Sequence, residues 1–184
     1  MGKRLTLILG GARSGKSDFA QALALKRGGA EVRFVATAQA LDDEMHARIQ
    51  THRAARDARW ETLEAPRRIA HALRSAPPAR LVVLDCATLW VSNVLLAGAG
   101  VAIEEMAREV DDLLAWHRES ACELIVVSNE VGMGLVPENA LGRAYRDLLG
   151  AVNRTIAAAA DEVFLLVAGL PLEVKARAVR VEEL

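Results

Sequence analysis

Three observations in this sequence predict an α/β fold with a mostly parallel sheet and helices on both faces. An apolar strand, Leu5–Gly10, runs straight into G-x-x-x-x-G-K-S at residues 10–17. The run at 81–84 is an unbroken apolar stretch, as in strands covered on both faces, and 124–128 reads as another buried strand. Strand-like and helix-like segments alternate along the chain, the pattern of right-handed β-α-β crossovers.

Each element has its own signal. The stretch 16–26 is expected to be a helix, closed by Gly28-Gly29, and Val32–Ala36 a second strand. Residues 41–55 are predicted helical, with Asp42, Asp43 and Glu44 where the helix dipole favours acids. A short helix over 66–75 starts at a proline, and Pro77-Pro78 stops it. The strand 81–84 follows, then an uncharged run, 86–103, that reads as a buried helix. An amphipathic helix over 103–117, the strand 124–128 and a Gly-containing loop at 129–137 come next. A long helix over 139–159 and a final strand, Glu162–Val167, complete the pattern.

Composition narrows the function. The 184 residues, 52% of them hydrophobic, suit one domain over 1–184 and are inconsistent with overall disorder. A net charge of −1 gives no electrostatic footprint for nucleic acid. The run 86–103 nearly has the length of a bilayer span, but Thr88, Ser92, Asn93 and two glycines interrupt it, so no membrane span is expected. Cys86 and Cys122 match no metal or redox spacing and read as buried thiols of a reducing compartment. With no visible signal peptide, a cytoplasmic location is expected.

The chemistry concentrates in three places. In the Gly-rich loop, Gly10 and Gly15 allow the tight turn and Lys16 supplies charge for the β- and γ-phosphates. Ser17 is an expected Mg²⁺ ligand, and the helix N-terminus faces the same anion. Asp85 ends an apolar strand, the place of a second Mg²⁺ ligand, although an acid there also suits a helix cap. Arg48, His52 and Arg56 recur every four residues, with Arg53 and Arg59 nearby. Such a face is either solvated or a clamp for a polyphosphate. In a clamp, surrounding cations favour a neutral, nucleophilic His52. His46 falls on another face, and His71 and His117 read as structural. The segment 128–137 follows a strand expected beside the Gly-rich-loop strand. It can position a nucleophile, with Glu130 a possible base, or close over substrate, or be a plain turn.

Taken together, the motifs resemble the bifunctional adenosylcobinamide kinase / adenosylcobinamide-phosphate guanylyltransferase family of cobalamin biosynthesis. The matching segments are GGARSGKS at 10–17, FVATAQALDDEM at 34–45, RIQTHRAAR at 48–56, WETLEAP at 60–66, VLDCATLWVSN at 83–93, VSNEVGMGLVPEN at 127–139, RAYRDLLGAVN at 143–153 and AAADEVFLLVAGLPL at 158–172. They run in order over nearly the whole chain. The resemblance implies a RecA-like P-loop sheet and a homotrimer. It implies phosphorylation of adenosylcobinamide by ATP or GTP, then transfer of GMP from GTP through a guanylyl-histidine at His52. Lys16 is the other catalytic residue, and Ser17 and Asp85 hold Mg²⁺. Nucleotide contacts are implied at Gly10, Gly11, Ala12, Arg13, Ser14, Gly15, Lys16 and Ser17. Further ones fall at Ala36, Thr37, Ala38, Arg53, Ala54, Ala55, Arg56, Glu64 and Asp85. The P-loop alone also suits a kinase of other small molecules, or a non-enzymatic nucleotide-dependent switch.

Overall fold

A computed structural model describes residues 3–40, 42–54, 56–98 and 101–179. Seven strands form one sheet: β1 (Leu5–Gly10), β2 (Val32–Ala36), β3 (Glu61–Glu64), β4 (Leu81–Asp85), β5 (Glu123–Val127), β6 (Glu162–Val167) and β7 (Leu170–Glu173), in the order β3-β2-β4-β5-β1-β6-β7. All pairings are parallel except β6 with β7. The helices are α1 (Lys16–Gly28), α2 (Asp43–Ala54), α3 (Ile69–Ser75), α4 (Ala87–Ala97), α5 (Ala102–Glu119) and α6 (Ala140–Ala159).

Alternation along the strands divides the core in two. Leu5, Leu7, Val82, Leu84, Leu124 and Val126 face α3, α4, α5 and α6, with Trp90 fully buried among them. Ile8, Phe34, Leu81, Val83, Ile125 and Val127 face the other way, against Ala20 and Ala24 of α1 and Trp60. The central strands therefore have both faces covered, which is why they read as continuous apolar runs. None of the described side chains of α2 is buried. It lies outside the core.

Several boundaries differ from expectation, each for a local reason. The helix expected over 66–75 starts instead at Ile69, because Arg68 takes a left-handed conformation (φ 50°) and its N–H donates to Glu109 Oε2 at 2.7 Å. The run 86–103 is not one helix: α4 ends at Ala97 and α5 starts at Ala102. Strand β3, sequence ETLE, went unforeseen because it is a short polar edge. Glu162–Val167 is not the last strand, since a positive-φ pair, Ala168-Gly169, turns the chain back into β7. Pro171 is compatible with β7 because that strand is an edge. The expected ends of α2 at Leu41 and Ala55 lie outside the described residues. Asn139 caps α6 by accepting from Gly142 N at 2.6 Å.

The Glu109 carboxylate joins α5 to two other elements. Its Oε2 accepts from Trp90 Nε1 at 2.6 Å as well as from Arg68 N. Replacing Glu109 by Ala strands both donors, and urea denaturation should show a loss of about 3 kcal/mol in stability.

Candidate active site

The carboxyl ends of β1, β2, β4 and β5 open into a cleft of about 840 Å³, with α2 forming its far wall. The P-loop leaves β1 at Gly10, where φ is 155° and an added Cβ would meet Ser14 Oγ at 2.6 Å and Leu166 O at 2.7 Å. Arg13 (φ 58°) and Gly15 (φ 89°) complete the turn. The β6–β7 turn supports it from outside, with Gly169 N donating to Ser14 O at 3.0 Å. Lys16 is 8% exposed and its Nζ donates to Gly11 O at 2.6 Å. Burial lowers its pKa, with Cys86 and Asp85 acting in the opposite direction.

Asp85 sits at the tip of β4. Burial raises its carboxyl above the ordinary range, opposed by a hydrogen bond from Ser17 and by the charges of His52, Arg56 and Lys16. Side chains from the P-loop helix, from α2 and from the segment after it thus share one cleft with this carboxylate. Asp85 does not cap α4, whose N-cap is Cys86 with no side-chain bond. A hydroxyl bonded to a carboxylate at the head of a P-loop is a hard oxygen pair, as Mg²⁺ requires. No cluster of three or more His, Cys, Asp or Glu occurs among the described residues, so further ligands would come from phosphate and water.

Of the residues singled out in the sequence, Ala12 to Ser17, Ala36, Ala38, His52, Arg53, Arg56, Glu64 and Asp85 all line the cleft. Gly10 and Gly11 shape the loop from behind. Thr37 is fully buried, and its hydroxyl donates to Cys86 O at 2.8 Å and accepts from Cys86 N at 2.9 Å. Its side chain braces β2 to β4 and does not line the cleft. Ala54 ends α2 away from the cleft, Ala55 lies outside the described residues, and so does the side chain of Arg48. His46, expected on a different face, lines the cleft with His52. Six residues leave the two about 120° apart around a helix. The cleft spans that arc because α2 turns no face to the core.

Other site residues carried weaker sequence signals. Glu130 does not line the cleft; its Oε1 accepts from Gly132 N at 2.7 Å. Asn129 does, and its backbone is fixed on both sides. Its N–H donates to Thr88 Oγ1 at 3.0 Å and its carbonyl accepts from Asn153 Nδ2 at 3.0 Å. Asn153 Oδ1 in turn accepts from Ser128 Oγ at 2.6 Å. A polar residue on the apolar face of α6 was the available clue. Asn93 likewise donates to Thr37 O (2.8 Å) and Pro66 O (3.0 Å), holding the β2 and β3 exits together.

Fold and cleft define a P-loop nucleotide-binding protein of the α/β class. A solved structure of an ATPase domain shares the fold, with a TM-score of 0.53 and 14% identity over 90% of this chain and 69% of that one. Residues 6–174 match the family described as cobinamide kinase / cobinamide phosphate guanyltransferase, CobU. The bifunctional adenosylcobalamin biosynthesis protein CobU of Salmonella typhimurium is 43% identical over 93% of this chain and 99% of its own. CobP of Pseudomonas aeruginosa, of the same description, is 46% identical over 92% and 96%. The CobU protein of Escherichia coli is 39% identical over 93% and 99%. The chain belongs to this family.

No helix among the described residues is long and apolar enough to cross a membrane. Burial pushes the thiols of Cys86 and Cys122 up to about 11. At pH 8 both are therefore protonated, and iodoacetamide should leave the folded chain unlabelled while labelling both cysteines after denaturation, as mass spectrometry would read.

Proposed function

We propose that this chain phosphorylates adenosylcobinamide with ATP or GTP and then transfers GMP from GTP to the product, with His52 as the covalent carrier. The observation that carries the reading is that His52 and Arg56 line the same cleft as Asp85 and the P-loop. A kinase alone has no use for an imidazole there.

In the first reaction the P-loop N–H groups and Lys16 hold the triphosphate, and the hydroxyl of the aminopropanol arm attacks the γ-phosphorus in line; the bond to the β–γ bridging oxygen breaks, the nucleoside diphosphate leaves and the hydroxyl proton is lost to solvent. Ser17 and Asp85 would hold Mg²⁺, which supplies charge neutralisation across the phosphate oxygens. Asn129, fixed at the β5 tip, orients the attacking hydroxyl. In the second reaction an imidazole nitrogen of His52 attacks the α-phosphorus of GTP, and the bond to the bridging oxygen of pyrophosphate breaks. Lys16, Arg53 and Arg56 stabilise the charge that develops on that leaving group. An oxygen of cobinamide phosphate then displaces His52, giving adenosylcobinamide-GDP. Two displacements replace one harder step.

The same reading includes a single functional domain, action in the cytoplasm, no nucleic-acid partner and a homotrimer. Exposed apolar side chains such as Leu135 (96%) and Leu170 (73%) leave surface for neighbouring copies to cover.

His52→Ala should reduce GMP transfer at least about a thousandfold and leave the kinase rate within a fewfold. The readout is acid-labile, alkali-stable labelling from α-³²P-GTP beside a corrinoid phosphorylation assay. Equal loss of both activities in a folded variant would refute the assignment. Lys16→Ala should lower both activities by about a hundredfold or more. Asn129→Ala should slow phosphoryl transfer about tenfold while sparing formation of the guanylyl-enzyme, measured by single-turnover kinetics.

A further inference from the structure

The guanidinium of Arg56 lies over an aromatic ring, its Cζ 3.5 Å from the centroid of Phe34. Phe34 is 1% exposed, in the middle of β2, paired with Thr62 of β3 and Val83 of β4. The ring is therefore fixed by strands on both sides. Arg56 follows α2 and opens the turn into β3, and this turn is anchored too. Trp60 Nε1 donates to Gly29 O at 2.9 Å, and Trp60 N to Asp57 O at 3.1 Å.

Arg56 has no carboxylate at salt-bridge distance among the described residues, although Asp85 acts on it at longer range. Its Nε is buried and has no hydrogen-bond partner among the described residues. Arg56 lines the cleft with the P-loop, where the terminal N–H groups of its guanidinium would meet a phosphate. A ring occupies one face of a guanidinium and leaves its in-plane N–H groups free to donate.

Building on the guanylyl-transfer reading, we propose that Phe34 is a positioning residue for that step: its ring seats the Arg56 guanidinium as a preset donor to the departing pyrophosphate. Phe34 is buried and does not line the cleft. It acts through Arg56 alone, replacing the conformational freedom of a long side chain with one orientation before GTP arrives. Nothing in this role requires the kinase acceptor.

A double-mutant cycle tests it. Guanylyl-enzyme formation from α-³²P-GTP is timed in single turnover for the wild type, Phe34→Leu, Arg56→Ala and the double variant, with melting temperatures recorded. Phe34→Leu should slow the step about tenfold, the effect of losing a desolvated cation–π contact. In the Arg56→Ala background the same change should have no further effect. Phe34→Tyr, which keeps the ring face, should stay within about threefold of wild type. Multiplying effects in the double variant, or an unchanged rate in Phe34→Leu, would overturn the proposal. Should Phe34→Leu fail to fold, Arg56→Lys decides: it keeps the charge without the planar stack and should lose about tenfold, and an unchanged rate refutes the role. A wild type that forms no guanylyl-enzyme sinks the transfer reading itself. A labelled wild type with multiplying effects sinks only the role of Phe34.

Discussion

The carboxylate of Asp85 is the constraint around which the site is built. Burial alone would drive it toward its neutral form. It is countered by a hydroxyl from the P-loop helix and by the positive charge of Lys16 and Arg56. These groups are remote in sequence, and the sheet places them around one strand tip. Two cationic side chains, Lys16 and Arg56, around one carboxylate leave a surplus of positive charge. A magnesium-bound polyphosphate complements that surplus, and the Ser17–Asp85 pair is suited to its metal. The same charge distribution would stabilise negative charge migrating from one phosphate oxygen to the next in both proposed reactions.

Precision in such a site depends on what lies behind it. Backbone groups at the strand exits are tied down by side chains that do not reach the cleft. Thr37 links β2 to the first residue after β4, Asn93 spans the exits of β2 and β3, and Asn153 fixes the exit of β5. Glu109 holds Arg68 and Trp90, two residues beyond Pro66 and at the centre of α4. Buried polar groups of this kind are expensive unless fully paired. Where they are paired, the loops they hold lose freedom.

Much of this was legible in the sequence. The strands Leu5–Gly10, Val32–Ala36 and Glu162–Val167 have the expected limits, because long apolar runs bounded by glycine or charge leave little choice. The P-loop, Asp85 and the His52–Arg56 spacing came from local chemistry, and the fold brings them together. What escaped was of two kinds. Strands β3 and β7 are short edges, one polar and one carrying Pro171, so neither shows a buried pattern. The other kind depends on tertiary neighbours. Thr37 gave no sign that it would brace two strands, nor did Phe34 that Arg56 would stack on it. His46 looked separate from His52 because periodicity fixes an angle around a helix and not the width of the wall that helix forms.

The contact between Gly169 and Ser14 has a wider implication. The hairpin turn that ends the sheet shares a hydrogen bond with the phosphate-binding loop, across more than 150 positions of chain. Outer turns of a sheet ordinarily accept length variation at little cost. Here an inserted residue would move the amide that steadies the Ser14 carbonyl, and a side chain on Gly15 would press on Gly169 Cα at 3.3 Å. The margin of the sheet is thereby subject to the same geometric demands as its centre.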